Sequence, residues 1–342
     1  MMFGDNNTYS KTLMNNRGSI VLGKLTFGKL ILLVLISLVL CASSILSVLA
    51  PLPIAMAFLL FGTKLTLVAS GVVTVGILIL TTASAGLSLY VDYAWMMVAM
   101  AIIGYGVSSI ITRDENPVNG LLVRVAIVAS FFIGSTIYMD TYSSNPLKKQ
   151  IEQRLVLEAE NVKNSKEYKT IKETGGEQER VLDNFITNAK DLAGQAYEFV
   201  YFIIFIGAFL LIWLPLRMLL RFREVWSQNY TFSYSNLEFR KFKTPDYLVY
   251  VFILGLALFI LGDLISPVLP VIGKNLSLMM AVVYFFQGMG LYLDFLTSAR
   301  IGGILRLVLT LLTVIYAYNV VAIFGVVDNW VNFRKYFKKE DN

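Results

Sequence analysis

The sequence has 342 residues, of which 56% are hydrophobic and 15% are charged, and its formal net charge is +6. A soluble domain carries about 25% charged residues, so this composition indicates a polytopic membrane protein. There is no histidine and only one cysteine, Cys41, which excludes histidine-based zinc sites, Ser-His-Asp triads, Cys-His dyads and an intramolecular disulfide.

The chain begins with a polar, basic segment that we predict to be a cytoplasmic tail, residues 1–27. This segment is too long for a typical signal peptide, so the first hydrophobic segment is interpreted as a retained anchor. A membrane bundle is predicted to follow at 28–139. Its predicted full-length spans are 28–49, 64–88, 93–112 and 118–139.

A half-length hydrophobic segment, residues 51–62, lies between the first two spans. A helix needs about 20 residues to cross a bilayer, so this segment is too short for an ordinary crossing. Pro51 and Pro53 preset the backbone for a helix start, and Gly62 allows a tight reversal into the next span. We predict a short helix here, which counts as a ninth crossing if it spans.

Residues 140–196 are dense in charge and differ from the segments on either side. Their apolar residues recur at spacings of three, four and seven, which places one apolar stripe on a helix face. Gly175 and Gly176 interrupt this pattern, so we predict two helices that form a hairpin outside the bilayer. The hairpin either packs on itself or the membrane surface, or it provides a docking surface for a partner.

A second membrane bundle is predicted at 197–328, followed by a basic C-terminal tail at 329–342. Its predicted spans are 197–221, 246–268, 276–297 and 303–327. The expected fold is therefore an all-α, polytopic transmembrane helix bundle of eight or nine spans with an extramembrane helical hairpin. We expect it in the bacterial cytoplasmic (inner) membrane with a cytoplasmic N-terminus. The lipid bilayer is its expected partner, and nucleic acid is not, because no basic stripe has interleaved aromatic residues.

The distribution of lysine and arginine leaves two topologies open. Nine crossings place the basic cluster Arg217–Lys243 in the cytoplasm together with the N-terminus, but they export the C-terminal tail. Eight crossings return that tail to the cytoplasm and export the cluster instead. We favour nine crossings.

Several polar residues lie within predicted spans, where burial of charge is costly and usually functional. The candidate ligand-binding or intramembrane polar residues are Arg124, Asp263, Gln287, Asp294, Arg306 and Asn319. An Asp294–Arg306 ion pair is geometrically possible. The alternative for the four charged residues is that each side chain extends to the membrane interface, and for Gln287 and Asn319 it is a hydrogen bond between helices.

No pair of carboxylates has a spacing suited to acid–base hydrolysis, so we expect no catalytic residues and no enzyme activity. Two strings with the G-x4-G-K spacing begin at Gly18 and Gly23, but both end in leucine where a phosphate-binding loop needs serine or threonine. We therefore expect no nucleotide, no other cofactor and no metal.

Three segments together resemble the YybS-like family of bacterial integral-membrane proteins. They are "PLPIAMAFLLFGTKLTLVASGVV"; "FFQGMGLYLDFL" with its Gln287-Gly288; and "FGVVDNWVNFRK" with Gly325, Asp328, Phe333 and Arg334. Through this family the chain is distantly similar to the substrate-capture subunits of energy-coupling-factor vitamin transporters. That resemblance implies a short helix within the bundle, a cavity at its outer end for a small solute, and an ATPase partner.

The chain departs from those capture subunits in three ways. It has more predicted spans, it has the extra hairpin, and its first helix shows only Ser43 and Ser47 in place of an alanine-rich docking motif. Our first hypothesis is therefore a subunit that binds or helps to move a small solute and takes energy from a membrane-protein partner. The alternative is a structural or assembly subunit of a membrane complex, either with other proteins or as a homo-oligomer. A membrane-embedded enzyme acting on lipids is a third, weaker hypothesis.

Overall fold

The computed structural model describes residues 25–43, 46–83, 87–227, 229–235, 239 and 241–337. Within these ranges every regular element is helical and no strand occurs, so the predicted all-α class is confirmed. Most of the predicted N-terminal tail, with both G-x4-G-K starting points, lies outside the described residues. The last five residues of the basic C-terminal tail also lie outside them.

The N-terminal part contains helices of unequal length. They are α1 (Phe27–Ala42), α2 (Pro51–Phe61), α3 (Thr63–Ala83), α4 (Leu87–Thr112) and α5 (Pro117–Tyr142). A 3-10 turn at Leu46–Leu49 precedes α2, so the predicted span 28–49 is not one continuous helix.

The short helix α2 is enclosed by the helices that pack on it. Seven of its eleven residues are buried, and it contacts α1, α3 and α4. Pro51 occupies its first position, where a missing N–H costs nothing. Gly62 ends it with a φ of +80°, a conformation that other residues rarely adopt. A helix with apolar residues on all sides is stable only where protein surrounds it, which is the situation of α2.

The charged region folds into more pieces than the two predicted helices. They are α6 (Leu147–Asn164), α7 (Lys166–Thr174), α8 (Glu177–Thr187) and α9 (Ala189–Glu198). The additional break at Ser165 is a helix N-cap, because the Ser165 hydroxyl accepts a hydrogen bond from the Tyr168 amide at 3.1 Å. Gly175 and Gly176 both have positive φ and reverse the chain, after which α8 and α9 pack against α6.

Polar contacts also join the elements of the charged region. The Tyr168 hydroxyl donates to Asp183 at 2.5 Å, and this hydrogen bond raises the pKa of Tyr168. Lys190 forms an ion pair with Glu152 at 3.1 Å. The position of the region outside the bilayer stays a prediction.

Three of the remaining helices overlap the predicted spans 197–221, 246–268 and 276–297. The remaining helices are α10 (Val200–Arg221), α11 (Arg223–Trp226), α12 (Leu248–Leu261), α13 (Leu269–Ser298), α14 (Gly303–Tyr316), α15 (Tyr318–Val331) and α16 (Arg334–Phe337). The predicted span 303–327 is wrong as a single straight helix. It breaks at Ala317, and α14 and α15 meet at a bend of 93°.

The length and composition of the described helices allow four membrane spans, or five if the bent pair counts as one. The four are α5, α10, α13 and Tyr93–Thr112 of α4. Shorter apolar helices lie at Phe27–Ala42, Leu46–Phe61, Thr63–Ile79 and Leu248–Leu264. The prediction of eight or nine crossings depends on these shorter helices and stays a prediction.

Contacts divide the chain into two compact units. The first consists of the described parts of Met1–Val128, Gly207–Val249 and Ala281–Asn342, and the second of Ala129–Ile206 and Tyr250–Met280. In the second unit, the Asn275 amide donates to the Glu198 carbonyl at 2.6 Å and accepts from the Phe202 amide at 2.9 Å. These bonds join the charged region to the N-terminal half of α13.

A contact in the first unit decides the relative position of the two basic segments in the C-terminal half. The Arg334 guanidinium donates to the carbonyl oxygens of Lys241 at 2.9 Å and Phe242 at 3.0 Å. Segments joined by hydrogen bonds lie on the same side of a bilayer. The nine-crossing topology, which puts three crossings between Lys243 and the C-terminal tail, is therefore wrong on this point, because an even number must separate them.

We expect cysteine labelling to show the same arrangement. In a Cys41→Ser background, cysteines replacing Glu224 and Lys335, both exposed, should react with a membrane-impermeant maleimide from the same side of sealed vesicles. Lys172→Cys in the charged region is the control, because the predicted topology places it on the opposite side. Reaction of Glu224→Cys and Lys335→Cys from opposite sides would contradict the contact.

Candidate functional site

A buried hydrogen-bond network surrounds Gln287 in the middle of α13. The Gln287 side chain is completely buried. Its amide oxygen accepts from the Thr244 backbone N–H at 2.9 Å and from the Thr244 hydroxyl at 2.6 Å. Its amide nitrogen donates to Asp328 at 3.1 Å and to Asn329 at 3.3 Å. Gln287 therefore joins α13, α15 and the segment before α12.

Asp328 connects this network to the end of α15. It is 4% exposed, and its second oxygen accepts from the Phe333 amide at 2.8 Å. Asn332 ends α15 with a φ of +50°, which turns the chain so that the Phe333 amide faces the carboxylate. A buried carboxylate is tolerated only when its oxygens are hydrogen-bonded, and both oxygens of Asp328 are.

Two glycines bring the helices that carry this network into direct backbone contact. A Cβ atom on Gly288 would lie 1.9 Å from the Val321 carbonyl oxygen, and one on Gly325 would lie 2.0 Å from the Tyr284 carbonyl oxygen. Only glycine permits such an approach, which is typical of close helix pairs in membranes. The segments "FFQGMG" and "FGVVDNWVNFRK", separate in the sequence, are thereby brought together.

Arg334 forms further polar contacts near the end of α13. Besides its bonds to the Lys241 and Phe242 carbonyls, its Nε lies 3.6 Å from Asp294. The predicted Asp294–Arg306 pair is replaced by this contact, because the break at Ala317 and the turn at Asn332 return the chain to the end of α13. Arg306 instead donates to the Leu293 carbonyl at 3.1 Å.

The other predicted polar residues lie apart from the network. Arg124, with a side chain 12% exposed, donates to Glu115 through both terminal nitrogens and to the Ser109 hydroxyl at 3.1 Å. Asp263 is exposed in a 3-10 turn, and Asn319 is exposed at the start of α15. Among the described residues, no three acidic or cysteine side chains come together to hold a metal ion.

A cavity of about 520 Å³ lies between α3 and α4. Most of its lining is apolar, and the polar groups in it are hydroxyls of Thr63, Ser70, Thr74 and Tyr105. The Tyr105 ring meets the Phe58 ring edge to face, with 5.5 Å between centroids. The cavity therefore lies next to α2 and begins beside Gly62.

The Ser70 hydroxyl has a property that points to a ligand. Ser70 is 5% exposed, and its oxygen finds no hydrogen-bond partner in the described part of the chain. A buried polar group without a partner is costly, and such groups are normally satisfied by water or by a bound molecule. Sequence analysis missed Ser70, because a serine in an apolar helix is common and its spacing carries no signal.

A second cavity, of about 540 Å³, lies in the angle of α14 and α15. Its lining is almost wholly apolar and rich in phenylalanine, including Phe295, Phe324 and Phe333. It has no buried polar group of the kind that Ser70 provides, and its chemistry suits a lipid acyl chain.

A family model described as "Predicted membrane protein (DUF2232)" matches residues 30–329. The match includes α2, the Gln287-Gly288 pair and Asp328, and the resemblance to the YybS-like family fits it. No curated protein and no solved structure matches the chain.

Proposed function

The chain belongs to the DUF2232 family of predicted membrane proteins, and we propose that it binds a small solute within the membrane, as a subunit comparable to energy-coupling-factor capture components. The observation that carries the proposal is the cavity between α3 and α4 with the buried, unpartnered hydroxyl of Ser70. Ligand sites are usually mostly apolar cavities of roughly 300–1,000 Å³ with a few polar groups that orient the ligand.

The lining indicates the chemistry of the solute. Methionine, valine, isoleucine and leucine side chains surround hydroxyls from two helices, and no charged side chain lines the cavity. The site therefore suits an uncharged, mainly apolar small molecule with one or two hydrogen-bonding groups. Ser70 would both accept and donate one such bond.

The short helix α2 gives this site a fixed wall. Because α2 is buried and bounded by Pro51 and Gly62, it holds Phe58 against Tyr105 at the cavity edge. The predicted topology places Lys64 in the cytoplasm, so the cavity lies toward the cytoplasmic end of α2 and not at its outer end. This position differs from the one that the resemblance to capture subunits implies.

The topology that we propose has eight crossings followed by a re-entrant pair. If α14 and α15 enter and leave on one side, the N-terminal tail, the basic cluster Arg217–Lys243 and Lys335 all lie in the cytoplasm, as the positive-inside rule favours. The Arg334 contact with Lys241 supports this arrangement. Any energy for transport would come from a partner.

The solute can be sought by native mass spectrometry of the full-length protein purified in mild detergent from its native membrane. We expect a small-molecule adduct on the wild type and at least a tenfold lower occupancy in Ser70→Leu, which replaces the hydroxyl with a larger apolar side chain. Ser70→Ala removes only the hydrogen bond and should weaken binding about fivefold.

Val72→Leu is the matched control, because Val72 lies on the same helix, is 54% exposed and is absent from the cavity lining. It should retain the adduct. A wild-type protein without an adduct, or a Ser70→Leu variant with full occupancy, would overturn the proposal. Copurification of a large envelope assembly without any small molecule would favour the structural role instead.

A further inference from the structure

A third cavity, of about 320 Å³, has a different character from the two larger ones. It is lined mainly by polar atoms, and the polar residues in its lining are Asn116, Asn119, Lys241, Lys243, Thr244 and Asp246. We propose that this polar cleft binds a phosphate group. The inference is independent of the solute cavity and concerns a different part of the first unit.

The network already described holds one wall of the cleft in place. Phe242 is 1% exposed and Thr244 is 2% exposed, whereas Lys241 and Lys243 are exposed. Exposure alternates along residues 241–244, so the two lysines lie on the open side of the segment while Phe242 and Thr244 anchor it on the buried side. Arg334 binds the carbonyls of residues 241 and 242, and Gln287 binds Thr244.

The opposite wall supplies amide groups at the start of α5. The Asn116 side-chain oxygen accepts from the backbone N–H groups of Val118 at 3.0 Å and Asn119 at 3.3 Å. Its oxygen is thus used in capping the helix, and its NH₂ group is the part suited to a ligand oxygen. Two ammonium groups and amide donors around one cleft are complementary to phosphate oxygens.

The charge and position of the cleft indicate which kind of phosphate compound it suits. Asp246 reduces the net charge of the lining to +1, which favours a singly charged phosphate ester over a highly charged anion. The cleft lies where the apolar helices α5 and α12 begin, at the level expected for lipid headgroups. A phosphate group there comes either from a phospholipid headgroup or from a soluble phosphate compound.

The test uses the full-length protein in neutral detergent and two probes. Binding of phosphatidylglycerol is compared with that of diacylglycerol, which has the same acyl chains but no phosphate, and inorganic phosphate is titrated separately. The variant is Lys241→Gln/Lys243→Gln, which leaves intact the backbone carbonyl that Arg334 uses. The control is Lys169→Gln/Lys172→Gln, which removes the same charge from the charged region.

We expect the wild type and the control to bind a phosphate probe, with affinity at least tenfold lower in the Lys241→Gln/Lys243→Gln variant. Preference for phosphatidylglycerol over both other probes identifies a lipid headgroup as the source. Binding of inorganic phosphate that competes with the lipid identifies a soluble phosphate compound. Equal binding by the variant and the wild type, or no binding of either phosphate probe by the wild type, would overturn the proposal.

Discussion

Replacing Gln287 with leucine is expected to lower the free energy of unfolding by about 3 kcal/mol or more. Leucine has nearly the same volume but no polar atoms, so the substitution leaves one oxygen of the buried Asp328 carboxylate and the buried Thr244 N–H without the partner that Gln287 provides. A buried hydrogen-bonding group left without its partner costs about 1–3 kcal/mol, and more where the group is charged. Thermal unfolding in detergent, followed by tryptophan fluorescence, measures the effect.

Asn319→Leu is the matched control for this experiment. It also converts a side-chain amide to leucine, but Asn319 is exposed and far along α15 from Asp328. We expect its unfolding temperature to stay close to that of the wild type. If Gln287→Leu unfolds at the wild-type temperature, the network does not stabilise the helix pair.

Gly288→Ala should have an effect of similar or larger size, because the added Cβ would lie 1.9 Å from the Val321 carbonyl oxygen. A backbone oxygen cannot rotate away as a side chain can, so α13 and α15 must separate. Overpacking costs about 1–3 kcal/mol even where side chains can adjust, and we expect a cost at or above the upper end of that range here. Loss of the folded, monodisperse protein in size-exclusion chromatography, or a strongly lowered unfolding temperature, provides the measurement.

Two further variants show whether the effect comes from the helix contact. Gly325→Ala introduces a clash with the Tyr284 carbonyl oxygen at 2.0 Å and should reproduce the result. Gly76→Ala adds the same methyl group to α3, where nothing lies within 4 Å, and should be neutral or slightly stabilising. Wild-type stability in Gly288→Ala would show that the helices are farther apart than the structure places them.

The sequence predicted those parts of the fold that depend on local chemistry. Composition indicated an all-helical membrane protein, and Pro51 and Gly62 marked the ends of α2. The importance of Gln287 followed from the rarity of polar residues in apolar helices. In each case the signal lies in a few neighbouring residues.

The parts that sequence analysis missed depend on contacts between distant segments. The break at Ala317 has no proline or glycine to mark it, since the local sequence is "YAYNV". Arg334 donates to the backbone carbonyls of Lys241 and Phe242. Because every residue has a backbone carbonyl, no residue type in the sequence marks these two as its partners. Lysine and arginine counts alone therefore left the side of the C-terminal tail undecided.

The candidate site likewise combines residues that the local sequence marks with contacts that only the fold creates. Gln287 and Asp328 stand out in the sequence as polar residues within apolar segments. The hydrogen bond between them, however, depends on the backbone contact at Gly288 and Gly325. Ser70 was missed because its significance lies in what surrounds it. A hydroxyl becomes informative only when the structure shows that it is buried and has no partner.

The bend at Ala317 has a consequence for the biogenesis of the protein. With 14 residues each, α14 and α15 are about 21 Å long at 1.5 Å per residue, shorter than the roughly 30 Å hydrocarbon core. In the topology that we propose they form a re-entrant pair, and the broken backbone between them needs protein around it. In that topology both helices enter the bilayer after α13 is in place, as a step of tertiary folding and not of segment-by-segment insertion.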